Sequence, residues 1–193
     1  MAGISETASR RQARTERRRE QVLDAAEACF RNEGFHGASM ARIAAAAEMS
    51  VGHIYQYFPS KDAIIVALCE RNFVGFELLV PEPSPTRTLD AWIARFVWWI
   101  EPARAPLTVE IMAEAARNPR VAEVVAAIDA RFREIMRQSL LPLVAPLPAE
   151  EIEDRLEAVN MLAHGMTNRV AAGADPRRIM AAFRLAVRAL LAV

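Results

Sequence analysis

The 193 residues, 53% of them hydrophobic, supply ample material for a core and exclude disorder of the whole chain. Lys and Arg number 24 against 24 Asp and Glu, so bulk attraction to a polyanion is excluded and only local charge clusters matter. Two cysteines make neither a disulfide framework nor a metal site, and no window reaches the roughly 18–20 uninterrupted apolar residues of a membrane-spanning helix. The N-terminus is charged with no apolar stretch after it, which is not the pattern of a secretory leader, so a cytoplasmic chain is expected.

Up to Arg19 there are six arginines (10, 11, 14, 17, 18 and 19) against Glu6 and Glu16, a local charge of +4. Residues 1–14 therefore read as a flexible basic arm, an anion-binding surface or simply a solvated tail. Alternating β-branched runs and Asn-Gly or Asp-Gly turns are missing, while Ala, Leu, Glu and Arg dominate, so the fold class is all-α. A first helix is predicted over about 15–32, with Val22, Leu23, Ala26 and Phe30 on one face and Gly34 as a left-handed C-cap. A short second helix starts after the N-cap Ser39 and carries Met40, Ile43 and Ala44. A third follows at once, capped by Ser50 and carrying Val51, Ile54, Tyr55 and Phe58. Pro59-Ser60 interrupts, and a fourth helix runs from near Lys61 to about Leu79. PEPSP (81–85) reads as a loop. Further helices are predicted at roughly 86–101, 107–118, 119–141, 149–172 and 176–192, about nine in all. Cys29 and Cys69 each sit in an apolar helical stretch and read as buried thiols.

Residues 39–61 carry the functional signal. Two short helices joined by three or four residues have the geometry of a helix-turn-helix, whose second helix enters the major groove. Ile43, Ala44, Met49, Ile54 and Phe58 have the spacing of an inner face packed on Val22 and Phe30. Val51, Gly52, His53, Gln56 and Tyr57 make the outer face: small or polar groups, with Gln56 suited to an adenine edge and His53 to guanine or phosphate. Periodicity alone is also compatible with a plain three-helix cap.

The residues of this segment then add a specific pattern: Ser39, the pair Ile43-Ala44, a short turn, and Met49-Ser50-Val51-Gly52-His53-Ile54-Tyr55-Gln56-Tyr57-Phe58-Pro59-Ser60-Lys61. This resembles the DNA-binding domain of the TetR family of repressors, as do Ala25-Ala26 to Phe30 and Gly34-Phe35 upstream. The resemblance covers about residues 15–65. It implies a DNA-binding domain over 15–60 and a ligand-binding and dimerisation domain over 61–193. It implies a homodimer on palindromic operator DNA, released by a small-molecule effector, the alternatives being a DNA-binding regulator without such a ligand or a helical enzyme or binding protein with an incidental three-helix cap. Against an enzyme, the sequence has no nucleophile-base pair, no carboxylate-histidine helix motif and no phosphate loop, and no cofactor is expected. Tyr57 and Lys61 are then expected on the DNA backbone, with hydroxyls such as those of Ser39 and Ser50 nearby. Arg42 is expected at phosphate, at a base edge, or merely solvated. Tyr55 is expected near a thymine methyl, or as a partly buried core tyrosine. One departure is Glu48, where the family usually has Gly: the turn is either differently shaped or strained.

Past the fourth helix the residues speak mostly for themselves. LDAWIARFVWWI (89–100) is apolar nearly all round and predicts a helix buried on every side. At 100° per residue Trp92, Phe96 and Trp99 fall within about 60° of one another, with Trp98 nearly opposite. This stripe is plain core or, by the resemblance, the wall of an effector cavity. Glu110 and Glu114 read as a wet face in preference to a site for a cation, and His164 as an interior or interface histidine. Histidines 36, 53 and 164 form no metal-binding spacing. By analogy with the family, two stripes are expected at a dimer seam, the alternative being that both pack only within the subunit: Leu156, Val159 and Ala163, then Ile179, Phe183, Val187 and Leu190, with Gly165 allowing close approach.

Overall fold

The computed structural model describes residues 2–77, 88–143 and 148–191. All regular structure among them is helical: α1 (Ala2–Gly37), α2 (Met40–Ala46), α3 (Val51–Ile54), α4 (Lys61–Glu77), α5 (Leu89–Ala94), α6 (Ala105–Ala115), α7 (Pro119–Leu140), α8 (Ala149–Ala171) and α9 (Pro176–Leu190). Short 3₁₀ segments follow α5 (Arg95–Ile100) and α7 (Leu141–Leu143). The PEPSP loop, the end of the fourth helix near Leu79 and residue 192, the last expected in the ninth, lie outside the described residues. No described helix is long and apolar enough to cross a membrane.

The chain divides into two compact units, Met1–Cys69 and Glu70–Val193. The division falls inside α4, later than the domain boundary expected at Lys61, because Ile64, Ile65 and Leu68 are fully buried residues of the first unit. In that unit Val22, Ala26 and Phe30 of α1, Ile43 and Ala44 of α2, and Ile54 and Phe58 are all almost wholly buried. The helical spacing of these apolar side chains, three or four apart, is what gathers three short helices onto one core. α1 begins at Ala2 and not near Thr15, so the basic N-terminal stretch is helical. Gly34 has the positive φ expected of it (71°), but its ψ of 166° is not that of a left-handed cap, and one more turn of helix follows to Gly37.

In the second unit α8 packs against α6, α7, α9 and the Arg95–Ile100 segment. Asn118 and Asp175 accept the N–H groups of Arg120 and Arg177, capping α7 and α9, each followed by a proline whose missing N–H costs nothing there. The core is aromatic: Phe96 lies 4.7 Å from Phe183 and 5.1 Å from Trp92 between ring centroids. The Trp92 indole donates to Ser139 Oγ at 2.9 Å, and Ser139 donates in turn to the Met136 carbonyl. Burying these polar groups is thereby compensated.

Several expectations change here. The single helix of 86–101 is instead α5 plus a 3₁₀ segment, with three residues per turn from Arg95 onward. Trp98 and Trp99 both pack, half-buried, against the same core with ring centroids 5.5 Å apart, so Trp98 does not point away from it. Trp92 and Phe96 are fully buried core residues, whereas Trp99 is half-buried against Phe132 and His164. Glu114 is buried, not wet: Asn118 Nδ2 donates to it at 3.2 Å and the Arg117 guanidinium lies 3.7 Å away. Leu156, Val159, Ala163, Phe183 and Val187 lie in the interior of the protomer's own second unit, the alternative in which the stripes pack within the subunit. Ile179 and Leu190 pack against the same core, half-buried. The outward faces of α8 and α9 instead expose Met161 (62%) and Leu185 (74%).

Candidate nucleic-acid interface

Two hydroxyl caps and one turn build the α2–α3 unit. Ser39 accepts the Arg42 N–H at 3.2 Å and Ser50 accepts the His53 N–H at 3.2 Å, so each short helix begins with its free donors partly satisfied. Between them the Met49 N–H reaches the Ala44 carbonyl at 2.9 Å and the Glu48 N–H reaches the Ala45 carbonyl at 3.1 Å. This pair of bonds is a Schellman motif, which requires a left-handed residue just past the C-cap. Glu48 takes that conformation, with φ of 52°, the only positive φ at a non-glycine residue among the described residues. The turn therefore keeps the shape that glycine would favour and carries the strain of an L side chain.

The third helix ends at Ile54, short of the expected Phe58, and α3 together with the turn that follows it presents a face of mixed character. Ile54 and Phe58 are buried, while Val51, Gly52, Tyr55 and Gln56 are exposed and His53 and Tyr57 half-buried. Tyr55 is 49% exposed, which removes the reading of a core tyrosine. A Cβ added at Gly52 would meet nothing within 4 Å, so the backbone there is open to close approach from outside. Tyr57 Oη and His53 Nε2 are hydrogen-bonded at 3.1 Å, holding the imidazole over the helix surface. Ser39 and Ser50 use their oxygens as acceptors for the caps and keep a hydroxyl proton to donate.

Lys61, expected on the DNA backbone, is engaged within the protein. Its ammonium donates to the carbonyls of Phe35 (2.5 Å) and Ala38 (2.9 Å) and stands 4.2 Å from the Phe35 ring centroid. This lysine ties the start of α4 to the end of α1 and the approach to α2. Arg42 is likewise engaged, in a 2.6 Å ion pair with Glu33 of α1.

Three residues that the sequence reading did not single out hold this unit together. Arg19 donates to the Tyr57 carbonyl at 2.9 Å with its guanidinium 4.4 Å from the Phe58 ring centroid. Gln21 donates to the carbonyl of Ala47, the residue ending α2, at 2.8 Å, and Arg18 donates to Gln21. Arg19 was hidden within a basic run, although Val22, Leu23, Ala26 and Phe30 continue its face at helical spacing. Cys29 on the same helix is buried; burial, and then the Glu33 carboxylate, push its thiol above the ordinary value. Among the described residues no three His, Cys, Asp or Glu side chains could hold a metal ion.

Comparison with known proteins agrees with this geometry. Residues 22–68 match the model of bacterial regulatory proteins of the tetR family. The HTH-type transcriptional regulator UidR of Escherichia coli is 37% identical over 111 residues, a stretch covering 54% of this chain and 55% of that protein. The match thus spans about half the length of that relative. The HTH-type transcriptional repressor Rv1474c of Mycobacterium tuberculosis is 28% identical over 180 residues, covering 87% of this chain and 90% of that one. Among solved structures, GusR of Salmonella enterica superimposes with a TM-score of 0.74 at 26% identity, over 91% of this chain and 96% of that one.

Proposed function

The chain belongs to the TetR family of bacterial regulatory proteins, and from that premise we propose that it is a cytoplasmic repressor whose homodimer holds a near-palindromic operator until a small molecule releases it. The observation that carries this reading is the outer face of α3 and the turn after it: exposed at Val51, Tyr55 and Gln56, without acidic, lysine or arginine side chains, and open at Gly52. Such a face enters the major groove without a net-charge penalty and meets base edges at close range. Gln56 is exposed and pairs with an adenine edge; Val51 and Tyr55 are placed for thymine methyl groups; His53, steadied by Tyr57, adds a donor. Ser39 and Ser50 hold phosphates and fix the register.

The second copy is taken up on the outward faces of α8 and α9. Met161 and Leu185 are large apolar side chains in water, and Gly165, Ala181, Ala182 and Ala189 continue their faces at helical spacing. Effector binding is assigned to the second unit, around the half-buried Trp98, Trp99 and His164 rather than the sealed Trp92 and Phe96. The regulatory effect then requires only that the ligand prefer the conformation that releases DNA.

Binding-site selection from random duplexes, followed by anisotropy titration, tests the DNA reading. A palindrome with half-sites about one helical turn apart, roughly 34–36 Å, or a multiple of it is expected. Gln56→Ala should relax preference at one base position per half-site at a cost of about 1–3 kcal/mol. Binding with no sequence preference at all would refute the proposed role of α3.

A further inference from the structure

The exposed arginines of the first helix stand in a definite relation to the base-reading unit. Arg11, Arg14 and Arg17 are all exposed on a continuous helix that leads into the core-forming part of α1. Gln21, on that same helix, donates to the Ala47 carbonyl, so its side of α1 is the side that the turn between α2 and α3 occupies. At 100° per residue Arg14 lies about 20° from Gln21, Arg17 about 40° and Arg11 about 80°. Glu20 and Glu16 fall about 100° and 140° away, on the other flank. Arg11, Arg14 and Arg17 therefore lie toward the side of α1 that carries the α2–α3 turn, as does Arg10 at about 20° from Gln21, whereas Arg19 lies about 160° away at the Tyr57 carbonyl; the contact of Gln21 with Ala47 fixes that orientation independently of the charges themselves.

Reach agrees with this placement. Arg17 is about 6 Å and Arg11 about 15 Å along the axis from Gln21. The stripe from Arg11 to Arg17 covers about 9 Å, and each strand of a duplex carries a phosphate every ~3.4 Å of axis, so three guanidinium groups meet two or three phosphates. Helical order keeps these side chains from wandering, which lowers the entropy lost when they are held.

Resting on the reading of α3 as a duplex-binding helix, we propose that Arg11, Arg14 and Arg17 form a second contact that tracks the phosphate backbone flanking the bases read by α3. This contact sets affinity and salt dependence without sequence preference, and α3 supplies the preference.

The experiment compares the full-length chain with its Arg11→Gln, Arg14→Gln, Arg17→Gln triple variant, since glutamine keeps the helix propensity of arginine. Each is titrated with the selected duplex over a range of salt, with long and with trimmed flanks. The slope of log K against log salt should fall by about 2–3 units in the variant, and affinity at 0.15 M salt by roughly 100-fold, with the ranking of base preferences unchanged. Trimming the flanks should weaken wild type and leave the variant unaffected. Wild type that binds its site specifically, with a variant of equal slope and affinity, overturns the proposal and leaves the α3 reading standing. Loss of sequence-independent binding in the variant, with wild type showing no base preference, supports the stripe and overturns α3. Loss of binding to phosphatidylglycerol vesicles with duplex affinity unchanged makes the stripe a membrane surface and overturns the proposal.

Discussion

Glu48→Gly isolates a single strained backbone position, and the molecule contains its own reference for it. At the end of α8 the Ala174 N–H reaches the Arg169 carbonyl at 3.0 Å and the Gly173 N–H reaches the Val170 carbonyl at 2.9 Å, the same pair of bonds that closes α2. The left-handed residue there is glycine, with φ of 85°; at α2 it is Glu48, with φ of 52°. The left-handed region costs an L residue roughly 1–2 kcal/mol, and glycine in the unfolded chain returns about 0.5–1 kcal/mol of that through its greater freedom. Glu48→Gly should therefore stabilise by about 0.5–1 kcal/mol, a rise in melting temperature of roughly 1–4 °C for a chain of this size. Gly173→Ala should destabilise by a similar amount through strain alone, because an added Cβ there meets nothing within 4 Å. Calorimetry and urea unfolding measure both. Glu48→Ala is the decisive control, since it removes the carboxylate and keeps the L configuration. If alanine stabilises as much as glycine, charge and not backbone strain is at work, and the reasoning fails.

Lys61→Met removes two charge-assisted hydrogen bonds and should cost about 2–4 kcal/mol of stability, given about 1.5–3 kcal/mol for a bond to a charged group and partial compensation by water. Its salt slope for DNA should stay that of wild type; a slope lower by one unit would restore the phosphate contact. Leu185→Asp or Met161→Asp should give folded monomers in sedimentation, whereas Phe183→Asp should unfold the second unit by burying an unpaired carboxylate; mutants at 161 and 185 that remain dimeric would move the seam elsewhere. Asp90 lies in a contact of 2.6 Å with Arg188 whose hydrogen bond holds its carboxyl below the ordinary 3.8. A depressed folded pKa contributes stability present above the unfolded value and lost as pH falls through the folded one. Asp90→Asn should consequently flatten the fall of melting temperature below about pH 4, and an unchanged acid limb would show that the pair has no part in it.

What the sequence determined by itself was whatever depends on residues close along the chain. Ser39 and Ser50 cap helices through N–H groups three residues ahead, Asn118-Pro119 and Asp175-Pro176 start α7 and α9 by the same short-range chemistry, and the apolar spacing of α1 to α3 names one core. These interactions require no knowledge of the fold, so the helix-turn-helix and its outer face were legible. The mismatch at Glu48 was legible too, but whether the turn would change shape or bear the strain was left to the tertiary packing. The same holds wherever the partner is distant. Lys61 finds carbonyls 26 and 23 residues away and Arg19 one 38 residues away, and a charge in a sequence does not say whether it faces solvent, phosphate or a carbonyl. Amphipathic stripes have the same ambiguity. Spacing shows that Phe183 and Val187 are buried, but only the packing of α8 and α9 shows that their own protomer buries them, leaving Met161 and Leu185 outside. Hydrophobic burial is non-directional, so a stripe specifies that it must be covered and never by which surface.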